Sequence, residues 1–273
     1  MELLFIGILG LLIGSFLNVV IIRVPQSKSI SFPASHCVKC HTPLKPYHNI
    51  PLFSWLFLRG KCAFCHDSIS IQYPIIEALS AIIFTTIFVK MGISLPTFGI
   101  ASVFLLLLAL SIIDFKYKAV PDSLNLLALL LAIISAWSLS MFVNNLINAL
   151  LFAGGFTLLR FSLSYFLTKR AQASQKSNNA SWVASYHTYP FVEAMGEADI
   201  MIAATMGALL GAQLTLVAIF FSALLALPAM MILADDEDEE SKRVPFVPFL
   251  ALATFIVYML DTPIMNYLDK MYG

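Results

Sequence analysis

Thr97-Phe-Gly-Ile-Ala-Ser-Val-Phe-Leu-Leu-Leu-Leu-Ala-Leu-Ser-Ile-Ile-Asp114 is a stretch long and apolar enough to cross a bilayer, and it ends on a carboxylate. About 20 apolar residues span a hydrocarbon core. The rest of the chain shares this character: of 273 residues, 59% are hydrophobic and 12% charged, with a mean hydropathy of +0.86. Ordinary soluble domains carry about 25% charged residues. In lipid every backbone polar group must be paired within the protein, so the expectation is an all-α polytopic membrane protein. The formal net charge is zero, so no overall field draws the chain to nucleic acid, and none is expected as a partner.

Working outward from this run, further candidate spans are Glu2–Ile22, Tyr73–Val89, Leu124–Leu139, Val143–Leu167, Ile200–Leu210, Gln213–Leu233 and Val244–Leu260, about eight in all with Thr97–Ile113. Ile200–Ala234 is too long for one span, and Gly211 offers a tight reversal. Met1 and Glu2 lack the basic start of a cleavable signal, so the first span is expected to be retained. The chain then divides into a first helix (1–23), a polar loop (24–72) and a helical bundle (73–273).

Lys and Arg select the cytoplasmic side. Arg23, Lys28, Lys39, Lys45, Arg59 and Lys61 fall in the first loop, Lys116 and Lys118 after the third span, Lys169, Arg170 and Lys176 after the fifth, and Lys242 and Arg243 before the eighth. Eight spans put all four segments on one side; Lys90 and Lys270 are the exceptions. The acidic run Asp235–Glu240 reads as a solvated connector.

All four cysteines sit in the first loop, as Cys37-Val-Lys-Cys40 and Cys62-Ala-Phe-Cys65 with 21 residues between the pairs. A two-residue gap lets both thiolates of one pair reach one ion, and two pairs complete a zinc tetrahedron with no open position. The expectation is one structural zinc per chain. Two disulfides are the alternative, but they need an oxidising compartment, and the charge bias puts this loop in the cytoplasm. His36, His41 and His66 flank the pairs as alternative ligands or solvated loop residues.

Ionisable groups inside spans are costly, and so point to function. Asp114 ends the third span, Asp199 opens the sixth, Glu77 lies just inside the second, and Asp122 stands ready to cap the fourth. Asp199 could equally serve as a cap. Two adjacent carboxylates do not both ionise cheaply; one keeps its proton while the other acts as a base. Such a pair activates water against a peptide carbonyl without metal or covalent intermediate.

At these residues the chain resembles the prepilin leader peptidase/N-methyltransferase family. The resemblance is carried by Gly14-Ser-Phe-Leu-Asn18 through Pro25, by the cysteine loop with Asn49-Ile-Pro51-Leu-Phe-Ser54-Trp55 between its pairs, by Tyr73-Pro-Ile-Ile-Glu77, by Asp114 with Pro121-Asp122, by Gly196-Glu-Ala-Asp199, and by Pro245-Phe-Val-Pro248. It implies a multi-pass aspartyl endopeptidase of the bacterial inner membrane, with its active site facing the cytoplasm. Asp114 and Asp199 would be the catalytic pair, and Glu77, Asp122, Glu193, Gly196 and Glu197 possible supporting residues. The implied substrates are prepilin or pseudopilin precursors with basic leaders. Many members then methylate the new N-terminus with S-adenosylmethionine, and a zinc-type loop is characteristic of those members.

Two departures stand out. The family's Gly-x-Gly-Asp is Gly196-Glu197-Ala198-Asp199 here, which removes a glycine's backbone freedom and adds a negative charge beside Asp199. Met201 replaces a common lysine. Apart from the family, no residue pattern points to methyl transfer: Gly154-Gly155 lies in an apolar span and reads as a close-packing site. Two other functions compete. A proton- or ion-coupled transporter would use the same carboxylates, and a scaffold would use the zinc loop to bind a partner.

Overall fold

A computed structural model describes residues 1–177, 196–233 and 245–272. Its nine α-helices among the described residues are α1 (Glu2–Arg23), α2 (Phe53–Phe57), α3 (Gln72–Met91), α4 (Leu95–Tyr117), α5 (Asp122–Ile134), α6 (Leu139–Ser177), α7 (Glu197–Leu233), α8 (Val247–Met259) and α9 (Asp261–Tyr272). The acidic run Asp235–Glu240, the segment with Lys242 and Arg243, and Glu193 lie outside the described residues.

The opening stretch becomes α4, the central helix, which packs against α1, α3, α5 and α8. The Ser94 side chain accepts a hydrogen bond from the Thr97 N–H at 3.2 Å to start it, and Lys118, in the left-handed region, closes it by donating its N–H to the Asp114 carbonyl at 2.8 Å. Val103, Leu107, Leu110 and Ile113 are fully buried. At 1.5 Å per residue, 23 residues rise about 34 Å, enough for a hydrocarbon core. Outer faces are apolar too: Leu4, Phe5, Leu150, Phe161 and Phe220 are all exposed. An apolar surface so spread over the helices needs lipid to cover it.

Close packing rests on glycines other than the expected pair. A Cβ at Gly10 would come 2.8 Å from the Ala81 Cα, and one at Gly14 would come 2.9 Å from the Glu77 Cα, so α1 lies directly on α3. On α7, a Cβ at Gly207 would come 2.6 Å from the Asn148 carbonyl oxygen of α6. Gly154 and Gly155 instead are exposed, with nothing within 4 Å of an added Cβ.

All eight apolar stretches contain helix. Among the described residues, five helices (α1, α3, α4, α6 and α7) are by length and composition alone sufficient to cross a membrane, or six if α8 and α9, bent by 78°, make one span. Helix α5 stops at Ile134, short of the expected Leu139. The Ser135 hydroxyl donates to the Leu131 carbonyl, a local bond that competes with helix continuation. Helix α7 breaks at Gly211 (φ 73°, ψ 178°), as expected of the reversal. The Thr215 hydroxyl donates to the Met206 carbonyl at 3.2 Å, although nine residues of continuous helix rise about 13.5 Å. The chain therefore turns back on itself, and its first arm, residues 197–210, is too short to span unaided. Helix α9 was not expected, since its apolar residues alternate with Asp261, Asp269 and Lys270.

The ends of the helices sort into two sets. Asn18 on α1 donates to the Tyr73 carbonyl of α3 at 3.2 Å, Asn125 on α5 donates to the Ala198 carbonyl of α7 at 3.1 Å, and the Val247 N–H of α8 donates to Asp114 of α4 at 3.2 Å. At the far end of α3, Lys90 pairs with Asp261 at 2.7 Å and donates to the Tyr258 carbonyl at 2.5 Å. One of the two exceptions to the charge bias is thus bound into the corner between α8 and α9.

Candidate active site and metal centre

Asp114 lies in the last turn of α4 and is 8% exposed. Its Oδ2 accepts the N–H of Val247, the first residue of α8. That N–H has no partner within its own helix, and the helix N-terminus favours negative charge. Asp199 lies in the first turn of α7, half-buried, and its carboxylate accepts the N–H of Gly196 just before the helix. This is the reach-back half of a capping box, so Asp199 does play the capping part weighed for it. Asp114 stands within Coulombic reach of Asp199. Two helix ends thus bring two carboxylates, each with one backbone donor, to one end of the bundle.

The structure shows how Ala198 and Glu197 are placed beside Asp199. Ala198 is helical and free of positive φ, so glycine's extra freedom is not needed there. Glu197 is exposed and pairs with Arg160 on α6 at 3.0 Å; the like charge acting on Asp199 is that of Asp114. Asp122 is the first residue of α5, exposed and without a side-chain capping bond, so it acts through the helix dipole and not as an N-cap.

Asn125 is a participant that the sequence reading passed over. Fully buried, it holds the Ala198 carbonyl directly before Asp199 and leaves its own Oδ1 buried without a partner. A search for ionisable groups missed it; a polar residue three positions into an apolar helix was the available signal.

Glu77 is bonded to the cysteine loop. It is 6% exposed, and its Oε2 accepts the Leu52 N–H at 2.8 Å, with Ser15 also within hydrogen-bond reach. Leu52 has φ 59° and ψ −50°, and the next N–H, of Phe53, bonds back to the Pro51 carbonyl at 2.6 Å. This is a γ-turn of the rare, strained kind. Glu77 therefore pins the cysteine loop to the mouth of α3.

The loop folds as two matching knuckles. In the first, the Cys37 N–H donates to the Thr42 carbonyl and the His41 N–H to that of Cys37. In the second, the Cys62 N–H donates to Asp67 and the His66 N–H to Cys62. His41 and His66 both take positive φ, and each knuckle closes with one β-bridge. Lys39 of one knuckle pairs with Asp67 of the other at 2.8 Å. This internal repeat escaped the sequence reading because only the cysteines and histidines recur.

All four cysteines are free thiols, with Sγ atoms within 4.8 Å of one another. The Sγ atoms of Cys37 and Cys65 are 3.8 Å apart, far beyond a disulfide bond of about 2.05 Å. A tetrahedron with zinc–sulfur bonds of about 2.3 Å has edges of about 3.8 Å, so the thiols fit a metal of that size. The histidines are outside this group, and His36 Nδ1 lies 3.0 Å from the Ala34 carbonyl oxygen. Hydrogen bonding with Thr42 draws the Cys40 thiol down to about 6. Against a hydrogen bond from the Asp67 backbone, desolvation and the neighbouring thiols push Cys65 up to about 11.

Comparison with known proteins bears on this arrangement. The bacterial Peptidase A24 N-terminal domain matches residues 8–91, and the type IV leader peptidase family matches residues 101–231. A prepilin leader peptidase/N-methyltransferase of Neisseria gonorrhoeae is 30% identical over 92% of this chain and 88% of its own length. Proteins of the same description from Stutzerimonas stutzeri (32% identity; 92% of this chain, 88% of the relative) and Bacillus subtilis strain 168 (29%; 97% and 96%) are similarly related. No solved structure matches. With these relatives aligned over nearly its whole length, the chain belongs to the type IV leader peptidase family.

Proposed function

We propose that this protein cleaves the basic leader from prepilin-type precursors and then N-methylates the exposed residue. What supports the reading is that Asp114 and Asp199, carried by two different helices, stand within Coulombic reach of each other. One carboxylate, ionised, takes a proton from water; the water attacks the scissile carbonyl; the other carboxyl group, protonated, donates to the carbonyl oxygen. Backbone N–H groups of Val247 and Gly196 hold the carboxylates in place. Asn125 sets the chain just ahead of Asp199.

The protein sits in the bacterial inner membrane, the aspartates on the cytoplasmic side with the Lys- and Arg-rich segments. The substrate's apolar segment lies along lipid-facing helices while its leader stays in water. In this organisation residues 1–23 form the first helix, 24–72 the cysteine loop and 73–273 the peptidase bundle. Cys37, Cys40, Cys62 and Cys65 would hold one zinc, and four thiolates leave it no open position, so it would fix the loop and do no chemistry. S-adenosylmethionine would supply the methyl group.

The test is mass spectrometry of a prepilin-type peptide incubated with purified protein, with and without S-adenosylmethionine. The expected products are the leaderless peptide and, with donor, its methylated form. An uncut peptide under conditions where a Neisseria gonorrhoeae relative cuts it would refute the reading.

A further inference from the structure

The short helix α2, between the two knuckles, turns its apolar side outward. Phe53, Leu56 and Phe57 stand three and four residues apart and so share one face; they are 60%, 66% and 83% exposed. The other face is fastened to the loop. The Ser54 hydroxyl donates to the Ile50 carbonyl at 2.7 Å, and the Trp55 indole N–H donates to the Ile69 carbonyl at 3.2 Å. The Trp55 ring also covers Gly60, where an added Cβ would come 2.9 Å from it. The outward turn of the three side chains is therefore built into the loop. A contiguous apolar patch of this kind marks contact with a membrane or with another protein.

The depth of α2 decides between them. Helices α1 and α3 run antiparallel and in close contact: Asn18 bonds to the Tyr73 carbonyl, and an added Cβ at Gly14 would come 2.9 Å from the Glu77 Cα. Glu77 is thus level with Gly14, and from Gly14 the helix rises about 13.5 Å further to its end at Arg23. The Glu77 carboxylate holds the Leu52 N–H at 2.8 Å, and one glutamate side chain with one hydrogen bond reaches less far than that rise. Leu52, the residue before α2, therefore lies inside the level at which α1 ends. Ile75, in the first turn of α3, is exposed near this depth too. The loop leaves α1 and comes back to the boundary of the spans at α2. Just past α2 the chain folds back on it, with the Arg59 N–H donating to the Leu56 carbonyl and the Lys61 N–H to that of Leu58, and both cations are exposed. An apolar face edged by basic side chains suits the anionic surface of a bilayer.

We infer that α2 seats the cysteine loop in the bilayer, with Phe53, Leu56 and Phe57 between headgroups and acyl chains at the end of the bundle where α3 begins, and Arg59 and Lys61 among the lipid phosphates. The occupant of the apolar face is the lipid itself. Long basic side chains reach headgroups while their stems stay against apolar surface, so the two cations and the three apolar residues are satisfied by one boundary. The seat holds the two knuckles against the membrane surface. It needs only a bilayer around α1 and α3; leader cleavage and methyl transfer play no part in it.

The experiment uses the full chain in lipid nanodiscs of phosphatidylethanolamine and phosphatidylglycerol, one copy per disc and no substrate. Phe57→Trp and, separately, Leu56→Trp place a fluorescent probe on the face, and wild type, with its three tryptophans, gives the background to subtract. Tryptophan is at home at a membrane boundary, and unfolding midpoints close to wild type in detergent show that the variants are folded. The added emission is expected to be blue-shifted, largely lost when the lipids carry bromine near the top of their acyl chains, and unmoved by iodide in the water. Emission from both probes that iodide quenches and lipid bromine leaves intact would overturn the inference. So would shielding that arises only in discs holding two chains, which would assign the face to a second copy. Bromine quenching abolished by adding a prepilin-type peptide would overturn it as well, giving the face to substrate.

Discussion

Removing the metal from the cysteine loop should unfold the two knuckles and spare the helices. Between residues 27 and 71 only Pro51, Gly60 and Cys62 are buried, so apolar burial there contributes a few kcal/mol at most, at about 1.5–3 kcal/mol per fully buried large side chain. A four-thiolate zinc site in a small domain contributes about 10–16 kcal/mol, equivalent to a dissociation constant of about 10⁻⁷ to 10⁻¹² M. The metal term dominates the loop by this comparison. The assay is hydrogen exchange with and without a strong chelator. The amides of Cys37, His41, Cys62 and His66, whose bonds close the knuckles, should lose protection, while those of α4 keep theirs. Elemental analysis of protein as purified should find about one zinc per chain, and X-ray absorption four sulfurs at about 2.3 Å. Knuckle protection unchanged after verified metal loss would refute the argument, because the loop would then be held by something other than the ion.

Three further outcomes are expected. Zinc affinity should fall as pH falls: Cys65, pushed up to about 11, must give up a proton at any pH near neutrality, while Cys40, at about 6, is already ionised there. Below about pH 6 Cys40 adds one further proton to be displaced, so the slope of log affinity against pH should steepen by about one; a constant slope through that range would contradict the assignment. Asp114→Asn and Asp199→Asn should each lower leader cleavage about 10²–10⁴-fold, about 2.7–5.5 kcal/mol in barrier, with the double variant scarcely worse because the pair acts as a unit. Both amides can still accept from Val247 and Gly196, so melting temperatures should stay close to wild type; multiplicative losses in the double variant would argue against a shared step. Gly10→Leu should cost about 1–3 kcal/mol by overpacking α1 against the Ala81 backbone and Phe84, read as a lower unfolding midpoint in detergent, and an unchanged midpoint would mean that α1 and α3 separate easily.

The sequence by itself determined the all-helical membrane class, since long apolar runs and 12% charge leave no other way to satisfy the backbone. It also determined the four-cysteine grouping, because the spacing of ligands within a knuckle is local, and the reversal at Gly211, because positive φ favours glycine there. It singled out Asp114 and Asp199 as costly groups in apolar surroundings. Which of these groups meet was decided only by tertiary structure. Glu77 stood out in the sequence as a possible supporting residue, and only the fold shows that its carboxylate accepts the Leu52 N–H of the distant loop. Asn125 went unnoticed in the sequence, yet the approach of α5 to α7 lets it hold the Ala198 carbonyl directly before Asp199. Gly154 and Gly155 looked like a packing seam, yet the contacts fall at Gly10, Gly14 and Gly207. The physical reason is the same in each case. Hydropathy and local spacing depend on neighbours along the chain, whereas a buried hydrogen bond or a helix crossing depends on how each helix is rotated against partners far away in sequence.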